Sequence, residues 1–384
     1  MTGPEAPDAD EVVARDHGRL LWNLALAGAQ LRRAEQVATP GPNAGWDPDR
    51  LDLGGPPRAV LVATDAPTAG IADLLTTLAA PVAPVTVLGT PQLPRWAGAS
   101  DAVVITSLDG RHPRLVALAD QAARRGCAVL AVAPVASPLG AAAARGAVAD
   151  LAADTAVRGA FFSAVGPVLV AAGRWGLTAI GPRLLTEAAE ALDDVAHRCR
   201  PSSDAVANPA RALAEAFTEA VPVVVGAGPL AAVAARAFAA ALRVSGGRPA
   251  LAARLPDEIA QVTALLVPTP GTDDDDFFRD RVEDPGARPQ VLLVGSEGSP
   301  DDPELGRHDG SVEHEASERE ALEAARVVER AAQAGGVRVS TLDVPRGDPL
   351  VRCLAAVHLG AFTGAYLGLL RDVDPSAPRA GELL

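Results

Sequence analysis

The sequence predicts an α/β protein made of two doubly wound parallel-sheet units joined by helices. Three observations carry that prediction. Runs such as AVLVAT (59–64) and CAVLAVA (127–133) are apolar at every position, the pattern of strands covered on both faces rather than half exposed. Stretches of helical period separate these runs, as parallel strands require a crossover between them. The alternation halts at a helical stretch near the middle of the chain and then starts again, so the unit occurs twice.

The elements follow in order. Residues 11–37 place Val12, Val13, Leu20, Leu21, Leu24, Leu26 and Leu31 at helical spacing and read as an opening helix, followed by a Pro/Gly-rich linker at 39–57. AVLVAT (59–64), VTVLG (85–89), AVVITS (102–107) and CAVLAVA (127–133) read as buried strands, with helices at 70–80 and 113–125. Helical stretches at 155–173 and 182–199 lead to PSSDAVANP (201–209), where Asn208-Pro209 carries helix-start chemistry. A helix at 209–220, VPVVVG (221–226), a helix at 229–243, TALLVP (263–268), QVLLVG (290–295), a helix at 317–334 and VRVSTLDV (337–344) repeat the pattern. A last helix spans 348–371. The expected division is an N-terminal helix and linker (1–54), a first α/β domain (55–152), connecting helices (153–207) and a second α/β domain (208–384). Two acidic, turn-rich segments, 271–286 and 297–320, read as solvated loops. Their Asp273–Asp276 run, His308 and His314 lack EF-hand or zinc spacing, so no metal is expected.

Composition bounds the function. A chain of 384 residues suits two domains or three, and 48% hydrophobic content fills real cores although aromatics make up only 3%. The formal charge of −14 argues against nucleic acid, whose phosphates need a clustered basic surface. Every one of the 34 basic residues is Arg. Cys127, Cys199 and Cys353 are widely spaced without a CxxC pattern and read as buried thiols. The acidic start MTGPEAPDADEVV has no signal-peptide pattern, and Arg, Gly or Pro interrupts the apolar runs. The expectation is a cytoplasmic protein with no membrane contact.

Asp348 to Pro375, DPLVRCLAAVHLGAFTGAYLGLLRDVDP, resembles the closing helix of the bifunctional phosphoglucose/phosphomannose isomerases, built from two SIS (sugar isomerase) domains. There a similar helix carries a small-polar patch, a YLAL-like run and a GVDP-like turn. The resemblance extends over about residues 55–375. It implies two SIS-type domains, a hexose phosphate ligand, a homodimer, no cofactor, and aldose–ketose isomerisation of mannose or glucose 6-phosphate to fructose 6-phosphate.

The resemblance also points to particular loops. AVVITSLDGRHPR (102–114) lies where the family has an SxSGNTxET-like phosphate loop; Ser107 and Gly110 match it, Arg111 stands at the Asn, and Asp109 and His112 replace a Ser and a Thr. The residues alone leave two readings open, a phosphate seat using Ser107, Gly110 and Arg111 or a strand-to-helix turn with Ser107 as its cap. The family's GMGGS-like first loop corresponds to VATDAPTAGIAD (62–73), where nearly all glycines are gone. ADTAVRGAFF (153–162) resembles a PRAA-like segment whose Arg sits in the active site, which implies an electrostatic role for Arg158.

The family's catalytic Glu, His and Lys have no counterparts at Arg243–Ser245, in LPDEIAQV (255–262), or in the tail. A substitute set for the proton transfers is Glu258 or Asp257 as base and His358 or His112 for ring opening, with Arg158 as stabiliser. Arg does not shuttle protons as Lys does. Three functions are therefore open. One is an isomerase with a rearranged site; a second is a non-catalytic sugar-phosphate-binding or partner-binding regulator. The third, an NAD(P) oxidoreductase, rests on the GxGxxA pattern Gly226–Ala231, which lacks the acidic residue expected about 20 positions on.

Overall fold

A computed structural model describes residues 9–38, 46–89, 92–151, 157–204, 207–266, 288–295 and 312–377. The chain forms two compact units, each discontinuous in sequence. Gly18–His197 with Ser376–Leu384 hold a five-stranded sheet, and Met1–His17 with Arg198–Pro375 hold a four-stranded one. In chain order the first elements are α1 (Ala9–Arg15), α2 (Leu20–Ala25), α3 (Ala27–Ala38), β1 (Val60–Thr64), α4 (Gly70–Ala79), β2 (Val85–Val87) and β3 (Ala102–Thr106). Next come α5 (Pro113–Arg124), β4 (Ala128–Ala133), α6 (Pro138–Ala142), β5 (Ala147–Asp150), α7 (Ala160–Arg174) and α8 (Pro182–Arg198). The remainder is α9 (Pro209–Phe217), β6 (Val221–Ala227), α10 (Pro229–Val244), β7 (Leu251–Leu255), α11 (Ile259–Leu266), β8 (Pro289–Val294), α12 (Val312–Ala334), β9 (Val339–Thr341) and α13 (Pro349–Leu370).

Both sheets are parallel throughout, ordered β2-β1-β3-β4-β5 and β7-β6-β8-β9. The register puts Leu61, Val103 and Val129 in one row and Val62, Val104 and Leu130 in the next. Because a strand turns alternate side chains to opposite faces, the first row joins Leu115, Leu118, Ala119 and Ala122 of α5 in one core. The second row faces the α4/α7 side. The four-stranded sheet is built likewise: Val223, Val225, Val291 and Leu293 pack with Val262 and Leu266 of α11 and Val328 of α12. Val224 and Leu292 turn the other way, toward α10. The order reverses between β1 and β3 and again between β6 and β8, and such switch points open a crevice at the carboxyl ends of the strands.

Several expectations need correction. TALLVP is no strand, since the residues through Leu266 end helix α11 and 267–268 lie outside the described residues. Ile259, Val262 and Leu266 are spaced as one helix face, while the neighbouring Leu265 is exposed. The strand of that region is β7, LAARL, an edge strand whose burial is partial and whose apolar signal is therefore weak. β5 was not expected. VTVLG yields only a three-residue edge strand with Val87 exposed, not a run buried on both faces. The opening helix is three helices, interrupted at Gly18 and Arg19, the latter at φ 52, and again at Leu26. The acidic segment 271–286 and residues 297–311 lie outside the described residues, but 312–320 begin α12 rather than a loop.

The 22-residue α13 is long and apolar enough to cross a membrane by composition alone. In this fold it is a core helix, with 89% of its most apolar window buried.

Candidate functional site

In the five-stranded unit the turns that follow β1 and β3 meet at the switch point. Thr106 ends β3 fully buried, and Ser107 continues it, also fully buried, with its N–H donating to the Val132 carbonyl at 3.0 Å. The Ser107 hydroxyl accepts the Gly110 N–H at 3.1 Å, which closes the turn. Gly110 adopts φ +63, and a Cβ there would stand 2.1 Å from Ser137 Oγ, so only glycine fits. Asp109 Oδ1 accepts the Arg111 N–H at 2.9 Å, and His112 Nδ1 caps α5 by accepting the Arg114 N–H at 3.2 Å. Arg111 is exposed at the rim. Ser107, Gly110 and Arg111 thus share one turn, with Ser107 inside it as a brace.

The turn after β1 crosses to meet this loop. The Asp65 N–H donates to the Thr106 carbonyl at 3.1 Å. Asp65 Oδ2 accepts the Leu108 N–H at 2.5 Å, and Asp65 Oδ1 accepts the Thr68 hydroxyl at 2.7 Å. The Thr106 hydroxyl in turn donates to Thr68 Oγ1 at 2.6 Å, and both threonines are fully buried. Sequence reasoning passed over Asp65 and Thr68. Their only signal was the loss of glycine from VATDAPTAGIAD.

Arg158 belongs to the same unit, in a 3₁₀ turn at Val157–Gly159 that leads into α7. Its guanidinium donates to the Ala377 carbonyl at 2.9 Å, so the returning C-terminal segment lies against it.

Glu258 and His358 belong to the four-stranded unit. Glu258 follows β7, and its Oε2 accepts the Arg254 N–H at 2.6 Å, making it the brace of its own turn. Asp257 pairs with Arg254 Nε at 3.0 Å. His358 is fully buried on α13 with its ring 5.0 Å from that of Phe362, so a sugar would have to part the helix layer to reach it. At the β6/β8 switch a Cβ on Gly226 would come within 2.4 Å of the Ala231 backbone, and one on Gly295 within 2.7 Å of Ala231 Cβ. The GxGxxA pattern therefore lets the first turn of α10 sit tightly against two strand ends. The candidate residues fall into the two units, Ser107, Gly110, Arg111 and Arg158 in one and Glu258 and His358 in the other. Among the described residues no three His, Cys, Asp or Glu side chains are grouped to hold a metal ion.

Comparison with known proteins bears on this geometry. Residues 206–380 match the family described as "Bacterial phospho-glucose isomerase C-terminal SIS domain". No curated protein sequence matches the chain. Among solved structures, a hypothetical protein from Thermus thermophilus superposes with a TM-score of 0.68 at 14% identity, covering 98% of this chain and 91% of the other. The tagatose-6-phosphate ketose/aldose isomerase of Escherichia coli gives 0.56 at 16% identity, covering 98% of each chain. A glucose-6-phosphate isomerase-like protein, also from Thermus thermophilus, gives 0.53 at 18% identity, covering 96% and 95%. At these identities the superpositions speak for the fold alone.

Proposed function

We propose that the chain, whose residues 206–380 match the bacterial phosphoglucose isomerase C-terminal SIS domain, is an SIS-domain protein that binds a hexose phosphate without isomerising it. The observation that carries this reading is the engagement of Glu258. An aldose–ketose isomerase needs a carboxylate or imidazole free to take a proton from C1 or C2. One oxygen of the Glu258 carboxylate, Oε2, is instead bonded to the main chain of its own turn, which holds the group there. The complete burial of His358 and the total absence of lysine support the same conclusion. The phosphate is proposed to dock on the β3–α5 turn, with the exposed Arg111 as its cation and Ser107 and Gly110 shaping the loop. The protein is further proposed to act in the cytoplasm as a homodimer.

Two measurements on one preparation test this reading. A thermal-shift titration with fructose 6-phosphate is expected to raise the melting temperature, while coupled assays with mannose and glucose 6-phosphate show no turnover at high protein concentration. Turnover that Arg158→Ala abolishes would instead favour an isomerase with a rearranged site, with Arg158 as its electrostatic stabiliser. No shift with any hexose phosphate would remove the ligand from the proposal.

A further inference from the structure

Donors of two kinds converge at the β1/β3 switch point, and a side chain of the protein already uses them. The Leu108 N–H and the Thr68 hydroxyl both point to the Asp65 carboxylate, at 2.5 Å and 2.7 Å. The Thr106 hydroxyl holds Thr68 in place from behind. Thr68 and Thr106 are fully buried and Asp65 is half-buried. The bond to Leu108 spans 43 positions of sequence, so it ties the end of β1 to the loop after β3, its neighbour in the sheet. A main-chain N–H and a hydroxyl that reach the two oxygens of one carboxylate make an anion seat, because both are donors that a carboxylate or phosphate oxygen accepts.

We propose that Asp65 is a resident anion filling this seat and is the residue that determines ligand specificity at the switch point. The inference deepens the hexose-phosphate reading and rests on it for the identity of the ligand. A phosphate entering the crevice meets a carboxylate where it would need an N–H, and like charges at such distance repel strongly when partly removed from water. The inner seat is therefore closed to phosphate, which is confined to the rim at Arg111. Replacing Asp65 by a small neutral residue frees the Leu108 N–H and removes the repulsion, while the Thr68 hydroxyl keeps the Asp65 and Thr106 carbonyls within 3.4 Å.

The test is calorimetric titration of the full chain with inorganic phosphate and with fructose 6-phosphate, in wild type, Asp65→Ala and Asp65→Asn. Circular dichroism establishes that each variant is folded. Asp65→Ala is expected to bind inorganic phosphate tighter than wild type by about tenfold, the scale of a charge-assisted hydrogen bond gained. Asp65→Asn keeps a side chain in the seat, removing the charge and turning one of the two acceptor oxygens into an NH2 donor, so a smaller gain is expected. A folded Asp65→Ala protein with wild-type phosphate affinity overturns the proposal. If that variant does not fold, Asp65→Asn decides, and an unchanged affinity there overturns it equally. The wild-type titration with fructose 6-phosphate is read separately. No binding there removes the hexose-phosphate reading, while a gain in Asp65→Ala still upholds the resident anion.

Discussion

At the scale of single residues, burial sets the chemistry of the polar groups that the core encloses. Cys353 is fully enclosed on α13, and desolvation pushes its thiol up to about 12 from 9.0. Tyr366, the chain's one tyrosine, donates to the Cys199 carbonyl at 2.7 Å and accepts from Asn208 at 3.2 Å, and burial likewise raises its pKa. The sign of the linkage follows from the protonated forms. The unfolded Cys353 thiol ionises from 9.0 while the folded one stays neutral, so its contribution to stability is intact below pH 9.0. That contribution is lost as pH rises toward about 12. A thiol reagent at pH 8 is therefore expected to leave Cys353 unlabelled in the native protein and to label it on unfolding, as mass spectrometry would read directly. Labelling in the native state would mean that the α13 layer opens. At this scale the sequence was only partly legible. The bracing of its own turn by Ser107 was one of two readings open from local chemistry. The role of Asp65 was hidden because its partner Leu108 lies on another strand's loop.

Among the elements, α13 and α10 come unusually close. Gly360, Gly364 and Gly368 repeat every fourth residue and turn one side of α13 toward Phe238, Ala241 and Ser245. A Cβ on Gly364 would stand 2.6 Å from the Ala241 carbonyl oxygen, and one on Gly368 2.6 Å from that of Ser245. Alanine normally favours a helix over glycine by about 1 kcal/mol. Here Gly364→Ala is expected to destabilise instead, by about 1–3 kcal/mol, because the backbone it meets can yield only by separating the helices. Urea unfolding of the variant checks the sign, and a gain in stability would refute the close approach. Elements were read best where tertiary context agreed with local pattern. AVLVAT, AVVITS, CAVLAVA, VPVVVG and QVLLVG all became strands because each is covered on both faces. LAARL failed as a signal because an edge strand needs no continuous apolar run. TALLVP misled because a short apolar run suits a strand and a buried helix end equally.

For the whole molecule, the repeat of alternating strands and helices made two α/β units predictable, but local composition carries no mark of their discontinuity. Chain ends cross between sequence-distant parts: Ser376 abuts Gly18, and Ala377 accepts from Arg158 within the five-stranded unit. Removing Ser376–Leu384 is expected to lower amide protection around Gly18 and Val157–Gly159 while leaving α13 protected, as hydrogen exchange would show. Equal loss in both places would refute that assignment of the tail. The first helix poses the converse problem, because α1 packs on α13 and the Arg15 guanidinium donates to the Leu369 carbonyl across 354 positions of sequence. A ribosome releases the amino end first, at about 5–20 residues each second. Residues 18–197 can thus gather into their sheet during synthesis, whereas α1 must wait tens of seconds, holding Val12 exposed, until its partner leaves the exit tunnel. A helix made long before its partner is thus among the last to find its place.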